Sequence, residues 1–127
     1  MSTGLEIRAQ IDSENAKGLL LINGGGAVAL LAFLPHIIDN DGFLPLIIAT
    51  LIAIFFFQFG LISAVLHNRY RRMCSLEYEK HGYSPPKRPS ACKLSDTYLW
   101  VSTILFSLAG ITVAIGASIS LINRFLH

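Results

Sequence analysis

Three long apolar stretches without a charged residue divide the chain. They are Gly18–Ile38, Gly42–Leu66 and Thr97–Asn123, with lengths of 21, 25 and 27 residues. Because an α-helix rises about 1.5 Å per residue, about 20 residues cross a hydrocarbon layer about 30 Å thick. The pattern therefore predicts an all-α membrane protein with three transmembrane helices.

The polar residues around these stretches define seven segments. In chain order we expect an amphipathic arm (1–17), transmembrane helix 1 (18–38), an outer turn (39–42), transmembrane helix 2 (43–66), a basic stem and loop (67–96), transmembrane helix 3 (97–123) and an outer tail (124–127). Ile7 and Ile11 give the arm a sparse apolar face. No helix breaker separates the arm from the first span, so the two are expected to form one continuous helix.

The second span has no stop signal where it leaves the membrane. Good helix formers continue to Lys80, and Gly82 is the expected residue just past the helix end. The second helix is therefore expected to project about 24 Å beyond the membrane. Residues 84–90, which include three prolines, predict an extended return. Ser95 or Asp96 is then the expected N-cap of the third span.

Charge gives the orientation. Nine of the ten Lys and Arg residues lie in the arm and in segment 67–96, and only Arg124 lies on the other side. The positive-inside rule therefore places the arm and the helical extension of the second span in the cytosol, and the C-terminus on the opposite side of the membrane. The net charge of +2 is too small to indicate a nucleic-acid partner on its own.

The sequence offers no motif for catalysis. The four histidines are scattered, and there is no HExxH, no GxSxG and no phosphate-binding loop. The two cysteines are too few for a disulfide scaffold and lack the close spacing of a metal site. We therefore expect neither an enzyme nor a bound cofactor or metal.

Three uncharged polar residues define a polar layer in the inner half of the membrane. Asn23, Gln58 and Thr103 lie about 8, 12 and 9 Å from the inner ends of their spans. They line a water-filled pore once copies assemble, or they form interhelical hydrogen bonds worth about 0.6 kcal/mol each. The second interpretation is the more common use of uncharged polar residues in membranes.

Small residues recur on all three spans and predict close helix packing. The positions that we single out are Gly24, Gly25, Gly26, Gly60, Gly110 and Ala114. Three spans have few faces to satisfy internally, so some of these residues are expected to contact other copies of the chain in a homo-oligomer. The run Gly24–Gly26 is also a candidate hinge, because each glycine weakens a helix by about 1 kcal/mol relative to alanine.

Six basic residues of segment 67–96 form what we call the basic collar: Arg69, Arg71, Arg72, Lys87, Arg88 and Lys93. Anionic lipid headgroups are their simplest partners. The collar also suits a cytosolic regulator that carries phosphates, such as a nucleotide or an oligonucleotide, with Tyr70, Tyr78 and Tyr83 available to stack on bases. The acidic residues of the arm compete for the same cations.

The arm residues Glu14–Lys17, leading into the glycine-rich run Leu20–Ala27, resemble the small multi-span membrane effectors of bacterial anti-phage systems. Examples are the channel-forming effector of Hailong-type defence and the membrane pore that accompanies some RNA-targeting CRISPR loci. The resemblance implies a homo-oligomeric pore that depolarises the inner membrane when infection is sensed, and a partner that supplies the signal.

Two other classes of membrane protein remain open. A phage holin also has few spans, but holins commonly end in a basic cytoplasmic tail, unlike residues Asn123–His127 here. A non-conducting accessory subunit of a larger complex needs the small-residue stripes, but it needs neither the polar layer nor the basic collar.

Overall fold

Three long helices make up the molecule. The computed structural model describes residues 4–82 and 87–126, and every regular element in those ranges is helical: α1 is Gly4–Phe33, α2 is Leu44–Lys80 and α3 is Ser90–Leu126. Each helix is long and apolar enough to cross a membrane. The prediction of an all-α chain with three helices long and apolar enough to cross a membrane is confirmed. Tyr83, and the part of the predicted extended return up to Pro86, lie outside the described residues.

The helix ends follow from local sequence. α1 runs unbroken from the arm into the first span, as predicted. A 3₁₀ turn containing Pro35 then leads to Asn40, whose side chain accepts a hydrogen bond from the Gly42 N–H at 3.2 Å. Pro45 occupies the first turn of α2. Gly82 follows the end of α2 with φ +60°, a conformation that glycine adopts without steric cost.

The start of α3 differs from the prediction. α3 begins at Ser90, directly after Pro89, and the Cys92 N–H donates to the Pro89 carbonyl at 3.1 Å. The assignment of Ser95 or Asp96 as the N-cap was therefore wrong. Both residues lie within the helix, where Ser95 contacts His67 of α2 and Asp96 pairs with Arg88.

α2 and α3 form an antiparallel hairpin along a seam with a seven-residue repeat. Every seventh residue of each helix is buried along this seam, and most of these residues are small. They are Leu46, Ala53, Gly60, His67 and Cys74 on α2, and Ser95, Ser102, Ala109 and Gly116 on α3. A seven-residue period keeps two helices in register along a left-handed crossing. Small side chains let their backbones approach closely, which is the main source of helix association in lipid.

The backbones of α2 and α3 approach most closely at the end of the seam that carries Gly116. A Cβ added at Gly116 would overlap the Cβ of Ala49 and lie 3.1 Å from the Pro45 carbonyl oxygen. Nearby, the Leu46 N–H donates to the Ser120 hydroxyl at 3.1 Å. Leu46 lies in the first turn of α2, where backbone N–H groups have no partner within the helix. A serine of α3 therefore accepts a hydrogen bond from one of the free N–H groups at the N-terminus of α2.

α1 packs mainly on α2 and much less on α3. At mid-height Ala27 joins Ala53, Phe57 and Ala109 in one core cluster. The Phe57 ring lies against Gly26, where an added Cβ would come within 2.7 Å of it. The centre of the three-helix unit is filled by these side chains.

Large apolar side chains cover the outward faces of all three helices. Leu21 is 75% exposed, Phe55 65% and Trp100 68%. A protein in water does not leave so much apolar area uncovered on every side. The exposure is expected where lipid chains surround the helices.

Exchanging two glycines of α3 for alanine tests the close seam. Gly116→Ala should lower the free energy of unfolding in detergent by about 1–3 kcal/mol, because the new methyl group meets the backbone of α2. Gly110 has nothing within 4 Å of an added Cβ, so Gly110→Ala should be neutral or stabilise by up to about 1 kcal/mol. Denaturant titration followed by circular dichroism measures both. Equal effects at the two positions would contradict the packing described here.

Candidate functional site

Asn23 joins all three helices within the apolar region, on the side nearer the basic collar. The residue is fully buried. Its Nδ2 donates to the Leu19 carbonyl of its own helix at 3.0 Å and to the Ser102 hydroxyl of α3 at 3.3 Å. Ser102 in turn donates to the Gly60 carbonyl of α2 at 2.8 Å. Asn23 therefore makes an interhelical hydrogen bond of the kind that the sequence suggested.

Gly60 provides the space for this junction. A Cβ at Gly60 would overlap the carboxamide of Asn23, so only glycine lets α1 place an amide against the α2 backbone. The Asn23 Oδ1 is buried without a hydrogen-bond partner in the described chain.

The two other members of the polar layer point outward. Gln58 is exposed on α2, and the described residues supply its amide with no hydrogen-bond partner. Thr103 is exposed on α3, and its hydroxyl donates to the Leu99 carbonyl of its own helix at 3.0 Å. One copy of the chain therefore does not bring Asn23, Gln58 and Thr103 together. Thr103 lines a groove of about 390 Å³ between α1 and α3.

The predicted packing residues divide into two groups. Gly26 and Gly60 are in tight contact inside the unit, and a Cβ added at Gly24 would lie 3.8 Å from the Leu61 side chain. Gly25 and Gly110 have nothing within 4 Å of an added Cβ, and Ala114 is exposed. The second group is thus free for contacts outside this chain. α1 remains helical through Gly24–Gly26.

The basic collar is only partly free. Arg71 forms an ion pair with Asp12 of the arm, and Arg88 forms one with Asp96. The expected competition from the arm therefore occurs at Asp12. Four collar residues are exposed and have no ion-pair partner among the described residues: Arg69, Arg72, Lys87 and Lys93.

A charged cleft of about 1030 Å³ separates the arm from the α2 extension and the start of α3. Its ionisable lining consists of Arg8, Arg71, Arg88, Glu6, Asp12, Glu79 and Asp96, together with Tyr78. Three guanidinium groups face four carboxylates, so the cleft is close to neutral in total charge. A field that attracts phosphate must therefore come from the four exposed cations of the collar and not from the cleft.

A disulfide forms part of the wall of the charged cleft. Cys74 of α2 and Cys92 of α3 are bonded, with their Cα atoms 4.9 Å apart, and both line the cleft. The bond closes a loop across a sequence separation of 18, which in the chain-entropy account is worth about 3 kcal/mol. Cysteine count alone missed this pairing. The seven-residue repeat of α2 leads from Gly60 through His67 to Cys74, but Cys92 does not fall on the repeat of α3, so the sequence pattern gave no signal for the pair.

Tyrosines surround the disulfide. Tyr70 and Tyr78 pack against the two cysteines, and the Tyr70 ring stacks on Tyr98 of α3 with centroids 5.5 Å apart. Tyr70 and Tyr78, which the sequence offered for stacking on bases, therefore have roles in packing α2 against α3.

The hydrogen-bonded contact between His67 and Ser95 is another feature that the sequence did not predict. His67 is buried, and its Nδ1 lies 2.8 Å from the Ser95 carbonyl oxygen and 3.0 Å from the Ser95 hydroxyl. Its Nε2 has no partner among the described residues. The contact lies between the Asn23 junction and the disulfide. Three links between α2 and α3 therefore follow one another towards the basic collar: Gly60–Ser102, His67–Ser95 and Cys74–Cys92.

Comparisons with protein-family models, with curated proteins and with solved structures find no match for this chain. The functional argument therefore depends on the chain's own residues.

A double-mutant cycle on Asn23 and Ser102 tests the three-helix junction. Asn23→Ala and Ser102→Ala should each destabilise the protein in detergent, and the coupling energy should be about 0.6 kcal/mol, because one membrane hydrogen bond links the two side chains. Thr112→Ala is the matched control, since the Thr112 hydroxyl donates only to the Leu108 carbonyl of its own helix. A coupling energy of zero between Asn23 and Ser102 would mean that the bond contributes nothing.

Proposed function

We propose that this chain is the subunit of a homo-oligomeric pore in the bacterial inner membrane, which depolarises the cell when it is triggered from the cytosol. The observation that supports this most strongly is Gln58, an exposed amide within the charge-free stretch of α2 that has no partner in the described chain. An unpaired amide in hydrocarbon costs several kcal/mol. It needs either water or another amide.

A second copy of the chain can supply the Gln58 amide with either partner, water or another amide. The glutamine side chain carries donors and an acceptor, so equivalent amides pair across a symmetric interface or line a shared water-filled lumen. Gly25, Gly110 and Ala114, which are free within one copy, let further helices approach closely.

Conduction has to occur between copies. Ala27, Phe57 and Ala109 fill the centre of one unit, and Asn23 is fully buried beside Ser102 and Gly60. A lumen through the centre of one chain would have to displace these buried side chains. The lumen is therefore formed by outer faces, with Gln58 or Thr103 as its polar lining, while Asn23 holds the subunit together.

The basic end is the input side in this proposal. The exposed collar residues Arg69, Arg72, Lys87 and Lys93 bind anionic headgroups in the cytosolic leaflet, or a regulator that carries phosphates. A role in anti-phage defence follows from the resemblance of residues 14–27 to such effectors.

Replacing Gln58 with leucine tests conduction. Gln58→Leu should reduce ion flux through liposomes containing the protein by about tenfold, the effect of a barrier raised by about 1.4 kcal/mol, because an apolar constriction gates by dewetting. Phe59→Leu is the matched control, since Phe59 is the next residue and is 57% exposed. The oligomer, measured by light scattering in mild detergent, should be unchanged in both. If Gln58→Leu conducts like the wild type, Gln58 does not line a pore.

Adding bulk to the free face of α3 tests assembly. Gly110→Leu and Ala114→Leu should shift the protein from oligomer towards monomer in mild detergent, because large side chains force close-packed backbones apart. Ile115→Phe adds bulk to a different exposed face of α3 and should leave the oligomer intact. A monomeric wild-type protein would contradict the proposal directly.

A further inference from the structure

We propose that Cys74 and Cys92 form a reversible redox site that clamps the basic end of the molecule, with small thiols and disulfides as its reactants. The proposal depends on the cytosolic orientation of that end, which is itself part of the proposed function. No catalytic or pore role is assigned to either cysteine.

The position of the bond is the first argument. Cys74 lies on α2 beyond the charge-free stretch, and Cys92 lies in the first turn of α3. Nine of the ten basic residues belong to this end of the chain, which the positive-inside rule assigns to the cytosol. The cytosol keeps thiols reduced, and disulfides there are usually transient. A cysteine pair that is close enough to bond on this side is therefore open at rest and closes upon oxidation.

Access is the second argument. The two cysteines are 4% and 2% exposed, yet both line the charged cleft of about 1030 Å³. A reagent the size of a tripeptide fits a cleft of this volume, so a small thiol can reach the bond from the cleft side. The arm is held across the cleft by the ion pair between Asp12 and Arg71, each of which is about one third exposed.

The non-covalent nature of the other links is the third argument. Apart from the disulfide, the described residues join α2 and α3 at this end by the His67–Ser95 hydrogen bonds, by stacking of Tyr70 on Tyr98, and by packing of Ala91, Tyr70 and Tyr78 around the two cysteines. The links inside the span, such as Ser102 to Gly60, lie further along the hairpin. Reduction therefore loosens the basic end and leaves the packing of the spans in place.

The chemistry is thiol–disulfide exchange. The thiolate of one cysteine attacks a sulfur of a low-molecular-weight disulfide and releases one thiolate. The second cysteine then attacks the mixed disulfide, which forms the Cys74–Cys92 bond and releases the second thiolate. Two cysteine thiols are oxidised, one small disulfide is reduced to two thiols, and the two protons pass to the leaving thiolates. Two small thiols reverse the reaction.

The test measures the state of the two cysteines in the full-length protein in its membrane. Cells are quenched with acid and the free thiols are alkylated with a maleimide that shifts the protein on a gel. We expect two free thiols during normal growth. Inside-out vesicles should lose both on treatment with oxidised glutathione and regain both with reduced glutathione. Cys74→Ser and Cys92→Ser should each show one free thiol in growing cells, which calibrates the gel, and oxidised glutathione should convert each no further than a mixed disulfide.

Three results would overturn the proposal. A pair that stays bonded in growing cells is a permanent staple. A pair that stays free after oxidation is not a redox site. A bond that links two copies belongs to the oligomer interface. Reporter fusions after Lys93 and after residue 127 show which assumption failed: a periplasmic signal after Lys93 overturns the orientation, whereas a cytoplasmic signal with a permanent bond overturns only the redox site.

The clamp is tested by amide hydrogen exchange in detergent. Exchange in residues 68–80 and 90–94 should be about tenfold faster in the reduced protein than in the oxidised protein, and exchange in residues 100–116 should be unchanged. The Cys74→Ser/Cys92→Ser variant should match the reduced wild type under both conditions. Equal exchange in the two redox states would show that the bond clamps nothing. Conductance of the Gln58→Leu variant is measured separately, so failure of the pore does not imply failure of the redox site.

Discussion

The close contact between α2 and α3 is the constraint on which the rest of the molecule depends. Lipid chains are as apolar as the helices, so apolar burial alone does not hold helices together in a membrane. Contact must come from backbones that approach closely and from polar groups that pair. The seam meets both conditions. Ala53, Gly60 and Gly116 remove bulk, while Ser102 and Ser120 bond to backbone groups of the opposite helix.

The position of α1 follows from that seam. Gly60 lies at a point where α2 has no side chain, so Asn23 can fit against the backbone and reach Ser102. Gly26 makes the reciprocal arrangement, in which α1 gives up a side chain and Phe57 fills the space. These two contacts between α1 and the hairpin thus each pair a glycine on one helix with a larger side chain on the other. Buried side chains fill the centre of the unit, which directs attention to its outer faces for any function in transport.

The two ends of the hairpin are held by different chemistry. At the end remote from the basic collar, the Ser120 hydroxyl accepts a hydrogen bond from the Leu46 N–H in the first turn of α2. At the basic end a covalent bond joins Cys74 to Cys92, and the ion pairs around it neutralise much of the local charge. The basic collar is therefore less uniform than its sequence suggests. Arg71 and Arg88 contribute to the internal structure, and the exposed cations Arg69, Arg72, Lys87 and Lys93 remain for lipids or for a regulator.

The sequence by itself determined the number of long apolar helices, the continuity of the arm with the first span and the end of α2 before Gly82. It could do so because charges and helix breakers act locally, and because a helix needs a minimum apolar length to cross lipid. It did not determine the start of α3, where Ser95 resembles a cap and is instead used for a contact with His67.

The roles of neighbouring small and polar residues were decided only by tertiary structure. Gly25 and Gly26 are adjacent and chemically identical, yet one faces outward and the other holds the Phe57 ring, because successive residues of a helix point about 100° apart. Asn23 and Gln58 lie at similar depth, but one is buried and paired and the other is exposed. The pairing of Cys74 with Cys92 likewise depends on the register of two helices. Rotation and register arise from contacts between distant residues, so composition, length and local pattern do not contain them.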